Sequence, residues 1–266
     1  MSFAAPIARP GAPLARRNPV AKLLGGLGLT FLLLSTLDPV APAVALAAEL
    51  AAVPWFGIRY RDLVRRAWPL WLGVAGILVS LLLFGTDRSG YVLIDLGRWS
   101  ITTGLLWSAL GFALRLIAVA LPGILIFAST DPTDLADALV QNAKAPPRFA
   151  IGTLAAFRLL PLLGHEWRML GLARRARGVD AGRNPFAAGR LFVSTMFGLL
   201  VGAIRRGTRL ATAMDARGFD STVPRTIARP QRFTAADTLF VAGALAVGAL
   251  AVAISLTLGT FQPLLA

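Results

Sequence analysis

Two short segments of this 266-residue chain end alike. The first reads Ala176-Arg177-Gly178-Val179-Asp180 and the second Ala216-Arg217-Gly218-Phe219-Asp220, each closing a long helical pattern. A guanidinium forks onto a carboxylate through two parallel hydrogen bonds, which a lysine ammonium cannot copy. Arginine at a helix C-terminus also meets the negative end of the helix dipole, worth roughly 0.3–1 kcal/mol. Glycine just beyond it ends the helix. A basic helix end with a glycine stop accounts for one such pattern. Its recurrence in a block with no other repeat points to two similar acidic grooves, as a symmetric or pseudo-symmetric partner dimer would offer.

Other chemistry is thin. There is no cysteine and one histidine, His165, so Cys- or multi-His-ligated metal is excluded. His165 neighbours Glu166 and reads as a surface residue. No G-x-x-x-x-G-K-[ST] phosphate loop is present. Asp131, Asp134 and Asp137 share one helix face at i, i+3, i+6 and are the one carboxylate cluster able to hold Mg²⁺. Pro132 marks them as a helix start, where acids are favoured anyway. Arg115 interrupts an apolar run. Such a charge costs about 2.5–3.5 kcal/mol on insertion scales. It reaches Asp131 or Asp134 only if the chain folds back, and a structural role fits it better.

The elements that position these residues belong to a membrane protein. The chain is 56% hydrophobic and 15% charged, with mean hydropathy +0.68. Soluble domains are about 45–50% apolar and about 25% charged. Spanning a bilayer takes about 20 mostly apolar residues. Leu23–Leu37, Val40–Ile58, Ala67–Gly85, Ile101–Ser129 and Thr238–Leu258 qualify or come close, the second broken by Pro42, Glu49 and Pro54. Barrel alternation is absent, so these are helices. The expected fold is an all-α integral membrane protein of about five transmembrane helices plus long cytoplasmic helices. Trp68, Trp71, Trp99 and Trp107 lie near span ends, as interfacial aromatics do.

Net charge is +14, and residues 144–232 carry sixteen Lys/Arg against four Asp/Glu. Such a block suits nucleic acid, anionic lipid or an acidic protein. The positive-inside rule explains most of it without nucleic acid. Arg-rich loops alternate along the chain as they should for a cytoplasmic N-terminus. This gives a cytoplasmic segment over 1–22, four spans within 23–129, a cytoplasmic region over 130–232 and a last span within 233–266. Arg16-Arg17, the apolar run and Ala43-Val44-Ala45 also resemble a cleaved signal, but the charge alternation works with the first span retained.

The basic block is helical. One pattern runs from Pro147 to Arg177, with Pro161 expected to kink it. A second runs from about Phe186 to Ala216. Neither half of the second is long enough to span alone, so a helix along the membrane face, or packed under the spans, fits better. Ser194, Gly198 and Gly202 form a small-residue stripe of the kind that permits close helix crossing.

The doubled Ala-Arg-Gly motif on cytoplasmic helices resembles the T component of energy-coupling factor transporters. Thr130-Asp131-Pro132-Thr133-Asp134-Leu135 resembles that family's segment after the fourth span. Phe157-Arg158-Leu159-Leu160-Pro161-Leu162-Leu163 with Glu166 resembles its first coupling helix, and Asn18-Pro19 with Lys22-Leu23 its N-terminus. The resemblance covers about 20–235. It implies a non-catalytic scaffold subunit in a bacterial cytoplasmic (inner) membrane, without a cofactor of its own. Two ABC-type ATPases would bind the ATP. A membrane S component would bind the substrate, a vitamin or a transition-metal ion. Ala176, Arg177 and Gly178 would meet one ATPase, and Ala216, Arg217 and Gly218 the other. Two alternatives stand beside it. One is a membrane enzyme acting on a phospholipid or polyprenyl phosphate, which would need Asp134. The other is a conventional ABC permease, which needs no S component.

Overall fold

A computed structural model describes residues 8, 11–85, 89–95, 100–182, 184–219, 226–227, 229–261 and 263. Among them the architecture is helical: α1 (Pro19–Leu34), α2 (Val40–Ala52), a 3₁₀ turn (Val53–Phe56), α3 (Tyr60–Arg66), α4 (Trp68–Phe84), α5 (Thr103–Ser129), α6 (Pro132–Asn142), α7 (Pro147–Ala176), α8 (Pro185–Ala216) and α9 (Ala235–Thr257). One short antiparallel ribbon, β1 (Val92–Asp95) with β2 (Ser100–Thr102), precedes α5. The chain divides into two compact units. One is built from Lys144–Pro230; the other combines the described residues before Lys144 with those from Gln231 onward.

In the second unit, α1 packs along α9; α1 also lies against α5, α9 against α2, and α2 against α5. Glycines let α1 and α9 approach. A Cβ on Gly248 would lie 2.7 Å from a methyl of Leu32, and one on Gly25 would lie 3.1 Å from the Phe240 ring. The core joins Leu29 and Leu33 of α1, Ala41 and Ala45 of α2, Ala118 of α5 and Ala251 of α9.

The expected apolar runs are all helical, but they are not five equal spans. By length and composition α5, α8 and α9 are able to cross a membrane. α2 with its 3₁₀ turn and α3 make a fourth candidate, bent by 116°. The break falls where Pro54 starts the turn and Gly57 takes φ +72°. α1 and α4 have 16 and 17 residues, short of a full crossing. α8, expected along the membrane face or under the spans, is one unbroken helix of 32 residues, long and apolar enough to span by length and composition. Of the tryptophans placed near span ends, Trp68, Trp71 and Trp107 are exposed; Trp99 lies outside the described residues.

Arg115 is buried in α5, 5.8 Å from the Phe112 ring centre, and Asp38 is the acid that attracts it. Asp38 also accepts from the Thr36 hydroxyl and from the amides of Val40 and Ala41. It thereby closes the α1–α2 hairpin, which seats on α5 at Gly111.

Glu49 is 7% exposed, and among the described residues neither carboxyl oxygen has a hydrogen-bond partner. Its residue lines a cavity of about 490 Å³, whose walls include Leu29, Phe56, Leu125 and Phe240. Burying a polar group without a partner costs roughly 1–3 kcal/mol in protein mutational data. Glu49→Leu is therefore expected to stabilise the chain by about that much. At roughly 2–4 °C per kcal/mol, the thermal midpoint in detergent should rise by several degrees; a fall would mean that the membrane supplies Glu49 with a partner.

Candidate functional site

The Lys144–Pro230 unit is a helix pair built to present its own ends. Pro147 occupies the first turn of α7. Asn184 caps α8, its side-chain oxygen accepting from the amides of Phe186 (3.0 Å) and Ala187 (3.3 Å). A proline in the first turn suits a position whose N–H has no helical partner.

The two helices run antiparallel, joined by side chains along their length. Arg148 at the start of α7 meets Asp215 at the end of α8, at 2.6 Å. Midway, Arg206 forks onto Glu166, Nη1 to Oε1 at 2.7 Å and Nη2 to Oε2 at 3.0 Å. Trp167 meets Phe192 edge-on with ring centres 5.2 Å apart. Near the end of α7, Arg174 donates to the Leu191 carbonyl (3.0 Å), the Thr195 hydroxyl (2.6 Å) and the Ser194 hydroxyl (3.0 Å). The Arg148 pair is exposed and contributes little. The half-buried bidentate pair and the Arg174 cluster set the register.

The small-residue stripe does something other than expected. Ser194 accepts from Arg174, but a Cβ on Gly198 would meet nothing, and one on Gly202 only Arg206 of its own helix. Among the described residues the close crossing is made by α1 and α9 instead.

The two helix ends have the same geometry. In α7 the Gly178 amide donates to the Arg175 carbonyl and the Val179 amide to the Arg174 carbonyl, each at 2.9 Å. In α8 the Gly218 amide donates to Asp215 at 3.0 Å and the Phe219 amide to Met214 at 3.1 Å. Gly178 takes φ +73° and Gly218 φ +70°. These are two Schellman caps, each with its arginine as the C-cap residue. Arg177 has φ −91°, ψ 9° and Arg217 φ −89°, ψ 10°. Both arginines and both motif alanines are exposed. Among the described residues neither guanidinium is held by a hydrogen bond or ion pair. Asp220, the last residue of the second motif, lies outside the described residues. Pro161 falls inside the unbroken α7.

The antiparallel pairing brings Arg177 beside the start of α8 and leaves Arg217 beside the start of α7. The two motifs thus sit at opposite ends of the pair, separated by most of the length of α7. Its 30 residues span about 45 Å at about 1.5 Å each.

A Cβ on Gly178 would touch nothing within 4 Å, so only backbone strain opposes substitution. Left-handed φ costs an L-residue roughly 1–2 kcal/mol. Gly178→Ala is expected to lose about 1 kcal/mol by thermal unfolding, and Gly178→Asn less, because asparagine tolerates that conformation.

Elsewhere the acids are structural. Asp131 caps α6, accepting from the Thr133 amide at 2.7 Å. Among the described residues no three acidic or histidine side chains gather as a metal site. His165 is exposed.

The sequence profile of the CbiQ family, described as cobalt transport protein, matches residues 11–227. That is most of the chain, including both arginine-tipped helices. The protein belongs to this family. An energy-coupling factor transporter transmembrane protein, EcfT, of Limosilactobacillus fermentum is 32% identical over 185 residues, covering 64% of this chain and 67% of its own length. The EcfT of Staphylococcus aureus is 29% identical over 160 residues, covering 57% and 60%. A putative ABC transporter ATP-binding protein of Bifidobacterium longum is 26% identical over 240 residues, 85% of this chain but 30% of that protein. The matched region thus spans about 60–67% of the EcfT relatives. Membership makes this chain a membrane component of a transporter, not an enzyme, and the phospholipid-enzyme reading falls with it.

Sequence reasoning missed three of the arginines that matter. Arg148, Arg174 and Arg206 were submerged in the bulk basic charge. A signal existed: Glu166 and Asp215 are the only acids within α7 and α8, and each has an arginine on the opposite helix.

Proposed function

We propose that this chain is the coupling subunit of an importer of the energy-coupling factor type. Arg177 and Arg217 each dock into an acidic groove on one of two ABC-type ATPases. Closing of the ATPases moves α7 and α8, and that motion reaches a separate membrane S component, which binds the substrate. The substrate class is a vitamin or a transition-metal ion, chosen by the S component. The membrane is the bacterial inner membrane, with the N-terminus cytoplasmic, as the loop charges favour.

One observation carries this reading: two helix ends of matching geometry, each tipped by an exposed arginine that no described residue pairs, at opposite ends of one antiparallel pair. Two similar sites far apart suit two similar partners. The Bifidobacterium relative, named as an ATP-binding protein and three times longer than the matched part, supports an association with ATPases.

Co-purification tests it. The chain is expressed in membranes with the ABC-type ATPases of the same organism and captured by a tag. The expected result is a complex with two ATPase subunits per chain. A chain that is folded and captures none overturns the reading.

A further inference from the structure

The chain leaves its membrane unit at Ala143–Lys144 and returns at Pro230–Gln231. Both crossings are tied down on the membrane-unit side, and to each other. The Gln231 amide donates to Oε1 of Gln141 at 2.7 Å. Gln141 lies in the last turn of α6, the last element before the outgoing crossing; Gln231 is the first residue after the return. The Arg232 carbonyl then accepts from Nδ2 of Asn18 at 3.4 Å. Asp237 in the first turn of α9 accepts from the Asn18 amide (2.9 Å) and from the Thr234 amide and hydroxyl (2.8 and 2.7 Å). The start of α6 is held as well, because Lys22 donates to the Ser129 carbonyl and to the Thr130 hydroxyl. Three of the four residues from Gln231 to Thr234 are thus bonded to α6, α1 or α9.

The outgoing crossing is stiff for a second reason. Lys144 takes φ +54° and is the one residue other than glycine with positive φ among those described. Pro146 and Pro147 follow directly. Each proline fixes its φ, and Pro146 restricts the residue before it. A left-handed lysine persists only where its surroundings over-determine it, and such strain collects at switch and hinge regions. Flexible crossings would dissipate a displacement of α7 and α8. Bonded, strained and proline-bound ones pass it on.

We infer that Gln141 is a positioning residue that locks the two crossings to each other, so that displacement of the α7–α8 unit is delivered to α1, α5 and α9. This deepens the coupling reading and rests on it, but the lock itself is measurable without the ATPases. The geometry is specific. The bond uses a side-chain acceptor and a backbone donor, so Gln141→Glu keeps the acceptor and Gln141→Leu removes it at similar size.

The test uses the full chain in nanodiscs. The protein has no cysteine, so spin labels at Ala143 and Ala235, both exposed, report one distance across the junction. Wild type and Gln141→Glu should give one narrow distance distribution. Gln141→Leu should broaden it at least twofold and raise hydrogen exchange at the Gln231 amide at least tenfold. With the ATPases bound, wild type should stay narrow whether or not ATP is present. Gln141→Leu should hydrolyse ATP at the wild-type rate while its distance becomes ATP-dependent. If Gln141→Leu stays narrow and protected, or wild type itself separates by several ångströms on ATP binding, the lock is overturned. If the ATPases never bind, the coupling reading fails, and the measurements on the chain alone still decide the lock.

Discussion

Reversing both motif charges, Arg177→Glu with Arg217→Glu, is expected to abolish ATPase retention while leaving the chain folded. Truncating one partner of a buried charge pair at an interface costs about 2–5 kcal/mol or more, and reversal adds repulsion. The two sites lie at opposite ends of the α7–α8 pair, so they act as two attachments. Linked attachments raise avidity by about 10²–10⁴ over either alone. Each single reversal should therefore weaken retention of the ATPase pair by at least about a hundredfold, and the double reversal should remove it. Folding should survive because both side chains are exposed and unbonded among the described residues. The cost of an acid at a helix C-terminus is only about 0.3–1 kcal/mol per site. Quantitative pull-down with a thermal-unfolding control checks this. Arg174→Glu is the contrast: it strips three hydrogen bonds from the α7–α8 interface, so it should lower the unfolding midpoint as well. Full ATPase retention by the double variant would reduce both motifs to helix stops.

The contrast between Arg174 and Arg177, three residues apart, shows what the sequence made legible. The limits of α7 and α8 were readable to within a residue or so, because Pro147, Pro185, Gly178 and Gly218 act locally. A proline without its N–H and a glycine at positive φ need no distant partner. The position of each motif arginine at a helix end was readable for the same reason, since it directly precedes the glycine stop. Arg174 was not. Its partners Leu191, Ser194 and Thr195 lie across the following turn, and nothing local separates an arginine that pins from one that waits. The broken span shows the same division. Pro42, Glu49 and Pro54 flagged an interruption in Val40–Ile58, but the 116° bend depends on how the turn packs. Arg115 feels the charge of Asp38 rather than that of Asp131 or Asp134, the two acids weighed for it from the sequence. Only the seating of the hairpin on Gly111 brings that pair together. α8 joins an apolar and a basic half in one continuous helix, a continuity that neither half shows by itself.

Lys22 is where this gap is widest, and replacing it should be the most damaging single change to the fold. In the sequence it is one more basic residue ahead of the first apolar run, as the positive-inside rule requires. In the structure it is 1% exposed. Its ammonium donates to the Ala15 carbonyl (2.8 Å), the Ser129 carbonyl (3.0 Å), the Ser129 hydroxyl (3.3 Å) and the Thr130 hydroxyl (3.2 Å). The carbonyl of Ser129 closes α5, so one cation satisfies a helix C-terminus and ties it to the segment before α1 and the start of α6. Lys22→Met keeps the apolar stem and deletes the charge. Acceptors left without partners cost about 1–3 kcal/mol each, and breaking a buried charged network costs about 3–5 kcal/mol in all. At roughly 2–4 °C per kcal/mol, the midpoint should fall by about 10 °C. Ser129→Ala should lose far less, because the carbonyl that matters remains. Hydrogen exchange then separates local from global damage. If Lys22 works as a tie, amides of α6 and the last turn of α5 should lose protection first, with those of α7 and α8 unchanged. Uniform loss across the chain would mean that Lys22 supports the membrane core as a whole rather than this junction.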